Sequence, residues 1–210
     1  NNLFAAAFTF IAIAACQPAE ADNADTEVSI GQTAVSFTAA EGKKDVFIHA
    51  SAQIEVTSSE SWCKAAEEPY ATSGIKRFSV SVNENMSVTE RTAVLTVARA
   101  DENVGTITVT QKGHALIVDT GEIKDLPSAG GTFHVNVLSA GEYNVSTGGA
   151  SWVKLKEKNQ EECTALFSVT ENIQTFSRET YLTFTAGDES YKVYVSQKAS
   201  EKEVPAPDMT

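Results

Sequence analysis

The feature that most constrains this chain is repetition, because its body is written twice. VTSSESWCK (56–64) returns as VSTGGASWVK (145–154), and VSVNENMSVTERTAVLTV (80–97) returns as FSVTENIQTFSRETYLTF (167–184). TITVTQKG (106–113) returns as KVYVSQKA (192–199). Within these segments Glu84-Asn85, Arg91, Leu95 and Val97 are answered by Glu171-Asn172, Arg178, Leu182 and Phe184. The matches keep one order at a period of roughly 87–90 residues. A unit of about 85 residues is too long for a solenoid repeat and suits a small independent domain. The repetition therefore predicts two domains, 28–113 and 114–199, with almost no linker at Gly113-His114.

Inside each unit the dominant hydrophobic period is two. Val80/Val82, Ala93/Leu95/Val97 and Ile107/Val109 alternate with polar residues, and Val35/Phe37, Val46/Ile48 and Ile54/Val56 extend the pattern. The second unit repeats it as Phe133/Val135/Val137 and Tyr143/Val145. Alternation of this kind marks strands with one buried and one wetted face. No window of the body carries a helical stripe. Six or seven short strands per unit, separated by Gly-, Asn- and Ser-bearing turns, predict an antiparallel sandwich. The fold class expected is all-β: two tandem immunoglobulin-like antiparallel β-sandwich domains.

The body is preceded by an address. Residues 3–15, LFAAAFTFIAIAA, form an apolar run of 13 without a charge. A spanning helix needs about 20 residues, whereas a signal-peptide core has this length. The run ends Ile13-Ala14-Ala15-Cys16, which resembles a bacterial lipobox, where the Cys after small residues is lipidated and becomes the mature N-terminus. An ordinary secretory signal with an incidental Cys is the alternative. Residues 1–15 are thus read as a lipoprotein signal peptide with a truncated start, since neither Met nor a basic segment precedes it. Residues 16–27, with four acids and no base, read as a solvated tether. An acidic stretch behind a lipidated Cys resembles the surface-export signal of Bacteroidetes lipoproteins. The expected location is the outer membrane, through a lipid anchor at Cys16, on the cell surface or the periplasmic face. Residues 200–210, with Pro205 and Pro207, read as an extended tail behind which a longer chain could carry another domain.

The order Ser-Trp, Val-x-Glu-Asn, Arg-Thr-x-x-Leu-x-Val and a closing Thr-Val-Thr-Gln-Lys-Gly resembles the BACON domain (Bacteroidetes-associated carbohydrate-binding, often N-terminal). Its most specific pieces are NENMSVTERTAVLTV (83–97) and TITVTQKG (106–113). The second copy departs at its close, Ser196-Gln197-Lys198-Ala199. The resemblance implies an immunoglobulin-like fold, export to a bacterial envelope and a role in glycan contact, while some members of the family look like spacers.

Charge and composition exclude several partners. The net charge of −12 is spread along the chain with no basic segment, so nucleic acid and anionic membrane surfaces are poor partners. Three cysteines are too few for a disulfide scaffold or a Cys-rich zinc site. Cys63 and Cys163 fall at different places in the two copies and read as buried or half-buried thiols. No metal site and no cofactor are expected: His49, His114 and His134 lie far apart, and no phosphate loop is present. Ser61-Trp-Cys-Lys64 and Ser151-Trp-Val-Lys154 spell a Ser-x-x-Lys pattern whose chemistry requires a helix, and both stand in β context. No catalytic residue is assigned, and the chain is read as a non-enzyme.

Glycan contact requires exposed aromatic faces. Trp62 and Trp152 recur at one repeat position and read as core plugs. The hairpin YLTFTAGDESYKVYV (181–195), turning at Gly187-Asp188, pairs residues whose numbers sum to 375. Leu182 then faces Val193, Phe184 faces Tyr191, and Tyr181 faces Tyr194 on the opposite surface. The first unit has Val94 and Thr108 there, so the tyrosine pair belongs to the second domain alone. A cross-strand pair contributing about 0.2–1 kcal/mol to the sheet is one account of it, and a sugar platform is the other. Tyr181 and Tyr194 are the candidate carbohydrate-binding residues. Glycans are the expected partners of a non-catalytic envelope module, the alternative being a rigid spacer or docking stalk.

Overall fold

The computed structural model describes residues 27–201. The predicted signal segment and Cys16 lie outside the described residues, as do 17–26 of the tether and 202–210 of the tail. Every regular element described is a strand. Among the described residues, no helix is long and apolar enough to cross a membrane.

The first half holds β1 (Ser29–Ile30), β2 (Ala34–Phe37), β3 (Gly42–His49), β4 (Glu55–Ser58), β5 (Cys63–Glu68), β6 (Ile75–Val82), β7 (Arg91–Arg99) and β8 (Glu102–Gln111). They form two sheets, in the orders β1-β3-β6-β5 and β2-β8-β7-β4. The second half holds β9 (Leu116–Val118), β10 (Glu122–Leu126), β11 (Gly131–Ser139), β12 (Asn144–Ser146), β13 (Val153–Asn159), β14 (Thr164–Val169), β15 (Arg178–Ala186) and β16 (Glu189–Gln197). Its sheets run β13-β14-β11-β9 and β10-β16-β15-β12, the same topology strand for strand. The duplication seen in the residues is thus a duplication of two-sheet sandwiches, each immunoglobulin-like.

Each half has eight strands where six or seven are predicted, and one pair in each is parallel. The first strand of each copy, β1 and β9, has two or three residues, too few to show a period. The chain then changes sheets, and β2 and β10 run parallel to the last strands, β8 and β16. This switch lets the chain's entry segment cover one edge of each sheet, with β1 and β2 in the first half and β9 and β10 in the second.

The alternation fills the space between sheets. Val46, Ile48, Val80, Leu95, Val97, Ile107 and Val109 are buried in the first core, and Phe167, Phe184, Leu182, Val193 and Val195 in the second. Each such side chain contributes about 1.5–3 kcal/mol on leaving water. The second core is more aromatic: Phe133 stacks on Phe167 at 5.2 Å, and Phe167 meets Phe184 edge-on at 6.1 Å.

Between the halves, Gly113 lies against the first sandwich so closely that a Cβ would stand 2.3 Å from the Val88 carbonyl carbon. The His114 amide donates to the Ser87 carbonyl at 2.8 Å. Its ring lies between two carboxylates, Nε2 at 3.1 Å from Glu84 and Nδ1 at 2.8 Å from Glu189. The other Glu189 oxygen accepts from the Leu116 amide at 3.0 Å. One histidine therefore ties a loop of the first half to the last hairpin of the second.

Candidate functional site

The residues shared by both copies form a structural lock. Continuing the inward phase of Ile107 and Val109 places Gln111 inside, and Val193 and Val195 do the same for Gln197; both amides are fully buried. Gln111 Nε2 lies within reach of the Ala39, Ala40 and Asn83 carbonyls at 3.0, 3.1 and 2.9 Å. Its Oε1 accepts from Arg91 Nε at 2.9 Å. In the second copy Arg178 Nε donates to Gln197 Oε1 at 2.7 Å. Gln197 Nε2 reaches the Pro127, Ser128 and Thr170 carbonyls at 2.8, 3.3 and 3.0 Å. The guanidinium of Arg91 covers the Trp62 ring at 4.3 Å, and that of Arg178 covers Trp152 at 4.7 Å. Burial lowers the Arg178 pKa from the ordinary guanidinium value.

Both tryptophans pack against their cores and are half-buried, the other face being taken by arginine. Neither offers a free ring face. Buried Asn85 and Asn172 complete the lock, each amide donating to the carbonyl four residues ahead (Thr89 and Phe176) at 2.8 and 3.0 Å. The repeated sequence is therefore largely the signature of one scaffold built twice.

The predicted tyrosine pair is brought together. Tyr181 lies directly opposite Tyr194, with Leu182 opposite Val193 and Phe184 opposite Tyr191, in the register read from the turn. The rings meet edge to face, 5.5 Å apart at 65°. Tyr181 is 53% exposed, whereas Tyr194 is half-buried and donates its hydroxyl to the Glu179 carboxylate. That hydrogen bond, followed by burial and the Glu179 charge, raises the Tyr194 phenol above its ordinary value. The pair offers one free aromatic ring beside an oriented hydroxyl–carboxylate couple.

A second aromatic pair lies on the first sandwich, and sequence reasoning missed it. Phe47 and Tyr70 meet at 5.2 Å and 56°, with 42% and 46% of their surfaces exposed. Phe47 occupies the outward phase of β3 between buried Val46 and Ile48, which is a legible signal. Tyr70 stands in the irregular β5–β6 loop, where no periodicity exists to read.

Ser61 and Ser151 stand in the turns before β5 and β13, with Lys64 and Lys154 on the strands themselves. The Ser-x-x-Lys spacing thus falls on turn and strand, not on one helical face. Cys63 is buried and Cys163 half-buried, both as free thiols, and burial pushes the Cys63 pKa up. Among the described residues no group of three His, Cys, Asp or Glu side chains could hold a metal ion.

An immunoglobulin-like sandwich, duplicated together with an internal Trp-Arg-Gln-Asn lock, defines a tandem β-domain protein. The sequence of the BACON family, described as a proposed N-terminal binding domain, matches residues 51–112 and 142–198. These segments cover more than half the chain, which belongs to that family. No curated relative matches it.

Among solved structures, a Bacteroides ovatus GH5 xyloglucanase with a bound XXXG heptasaccharide is similar at 24% identity and TM-score 0.37, over 48% of this chain and 22% of that one. The I67–I69 fragment of titin is similar at 11% identity and TM-score 0.46, over 82% of this chain and 65% of that one. A Bacteroides thetaiotaomicron protein is similar at 15% identity and TM-score 0.33, over 43% and 92%. The chain thus spans about a fifth of the xyloglucanase and just under two thirds of the titin fragment. At these TM-scores the likenesses carry no weight for function.

Proposed function

We propose that this protein is a non-catalytic, lipid-anchored module of the bacterial envelope that contacts glycans, mucin or polysaccharide, through exposed aromatic side chains. Cys16 would carry the anchor to the outer membrane, facing the cell surface or the periplasm. One observation carries the glycan reading. Among the described residues the exposed aromatics Phe47, Tyr70, Phe176 and Tyr181 all fall where the two copies differ. The opposite copy has Asn136 for Phe47, Thr89 for Phe176 and Val94 for Tyr181, and no aromatic in the loop matching that of Tyr70. A scaffold accounts for what the copies share, and contact with a ligand accounts for exposed rings that they do not share. Shallow rings bury little area, so affinity is expected in the micromolar to millimolar range, on the order of −8 to −4 kcal/mol.

The test is a glycan array probed with residues 17–210 and with the Tyr181→Ala/Tyr194→Ala variant. Weaker binding by the double variant supports the tyrosine platform, and unchanged binding removes it. A second reading, a stiff spacer without a ligand, is favoured by the His114 junction and the tight seat of Gly113. It predicts an empty array together with a fixed angle between the halves in solution scattering.

A further inference from the structure

The β5–β6 end of the first sandwich carries a feature that its twin lacks. Tyr70 forms a wall of an open cleft of about 560 Å³, whose other sides include Ser51, Glu67, Glu68 and Thr72. Phe47 packs against Tyr70, the rings tilted with their centroids 5.2 Å apart. Across the three neighbouring strands Phe47, Arg77 and Glu68 stand in one row, since Phe47 and Glu68 are both register partners of Arg77. The matching end of the second sandwich has a cleft of about 520 Å³ lined by Glu142, Glu157, Lys158, Asn159, Gln160 and Glu161, with no aromatic wall. Phe47 is replaced there by Asn136, whose amide donates to Asp119 at 2.6 Å.

The chemistry of the first cleft selects its ligand. A ring with one free face beside uncommitted polar groups suits a pyranose, whose axial C–H face stacks while its hydroxyls seek donors and acceptors. Among the described residues the Tyr70 hydroxyl and the Glu68 carboxylate have no hydrogen-bond partner, so both are available. Of the residues that line the cleft Lys76 alone is cationic, and it is paired with Glu67 at 3.0 Å; Arg77 stands outside the lining, 3.9 Å from Asp45, with its Nε buried. The lining therefore holds no unpaired cation for a sulfate or uronate, and the net charge of −12 repels polyanions.

We propose that this cleft is a subsite for a neutral glycan chain, with Tyr70 stacking on a sugar ring, Phe47 supporting Tyr70, and Glu68 accepting from sugar hydroxyls. The proposal rests on the glycan reading above and assigns it a second, independent site. It is tested by affinity electrophoresis of residues 17–210, which include both cores whole, through gels containing galactomannan or laminarin (neutral) or polygalacturonate or chondroitin sulfate (anionic). The expected result is retardation by a neutral polysaccharide, weakened about tenfold by Tyr70→Ala, as loss of a stacked ring implies. Tyr70→Phe keeps the retardation, and Tyr181→Ala/Tyr194→Ala leaves the share due to the cleft. A Tyr70→Ala protein that melts like the parent yet is retarded as strongly overturns the assignment, as does retardation by anionic gels alone. Either of those results leaves the glycan reading standing, whereas no retardation by any of the four polymers removes both.

Discussion

Replacing Gln111 by leucine tests whether the duplicated residues are scaffold. The side chain is fully buried and joins three carbonyls to the Arg91 guanidinium. Leucine keeps the volume and removes all of these bonds. The Nε2 group has two hydrogens to share among the three carbonyls, so one charge-assisted bond lost at about 2 kcal/mol and two amide–carbonyl bonds at about 1 kcal/mol each give a cost of about 4 kcal/mol. The greater apolar burial of leucine returns about 1 kcal/mol, leaving a net loss of about 3 kcal/mol. Against a typical domain stability of about 5–15 kcal/mol this is a large fraction. Urea unfolding measures the loss, and hydrogen exchange followed by mass spectrometry locates it. Amides of β6–β8 should lose protection while those of β14–β16 keep theirs, and Gln197→Leu should produce the mirror pattern. A loss below about 1 kcal/mol, or loosening of both halves by either substitution, would refute the view of two separately locked sandwiches.

Three further predictions follow from single side chains. Gly113→Ala places a Cβ within 2.3–2.6 Å of Val88 and Thr89 backbone atoms and should cost about 1–3 kcal/mol in denaturant, whereas Gly121→Ala, with nothing within 4 Å, should be close to neutral. Ala100 turns the β7–β8 hairpin at φ 47°, where its second-copy counterpart is Gly187 at φ 54°, so Ala100→Gly should raise stability by about 0.5–1 kcal/mol in the same assay; a loss would contradict it. Tyr194 has its phenol raised above 10.0, first by the Glu179 hydrogen bond, so folding favours the protonated form. The corresponding stability is whole below the unfolded phenol's pKa and is lost as pH climbs through the raised value. Glu179→Ala should therefore move this tyrosine's phenolate absorbance to lower pH, and an unmoved titration would show the contact to be absent in solution.

The strands and the register were legible because they are periodic. Alternation placed Val46, Ile48, Leu95 and Val97 inside, and one turn at Gly187-Asp188 fixed the pairing of β15 with β16, residue against residue. The same phase points Arg91 and Gln111 inward and opposite each other, as the structure has them, although polar residues on an apolar phase are easily passed over. The tryptophans needed three dimensions, since only the arginine above each ring shows that its outer face is occupied. Tyr70 was beyond reach for a different reason. Its position comes from an irregular loop folding back on a neighbouring strand, and no local pattern encodes that approach. Of the two aromatic pairs, the one set by strand register could be read from the sequence, and the one set by loop geometry could not.

The most direct measurement is a calorimetric titration of a neutral oligosaccharide into residues 17–210, run beside the Tyr70→Ala and Tyr181→Ala variants. Saturable heat that shrinks when either exposed ring is removed is the predicted outcome. A flat titration across neutral and acidic sugars alike, with both sandwiches folded, would contradict the account and leave a spacer in its place.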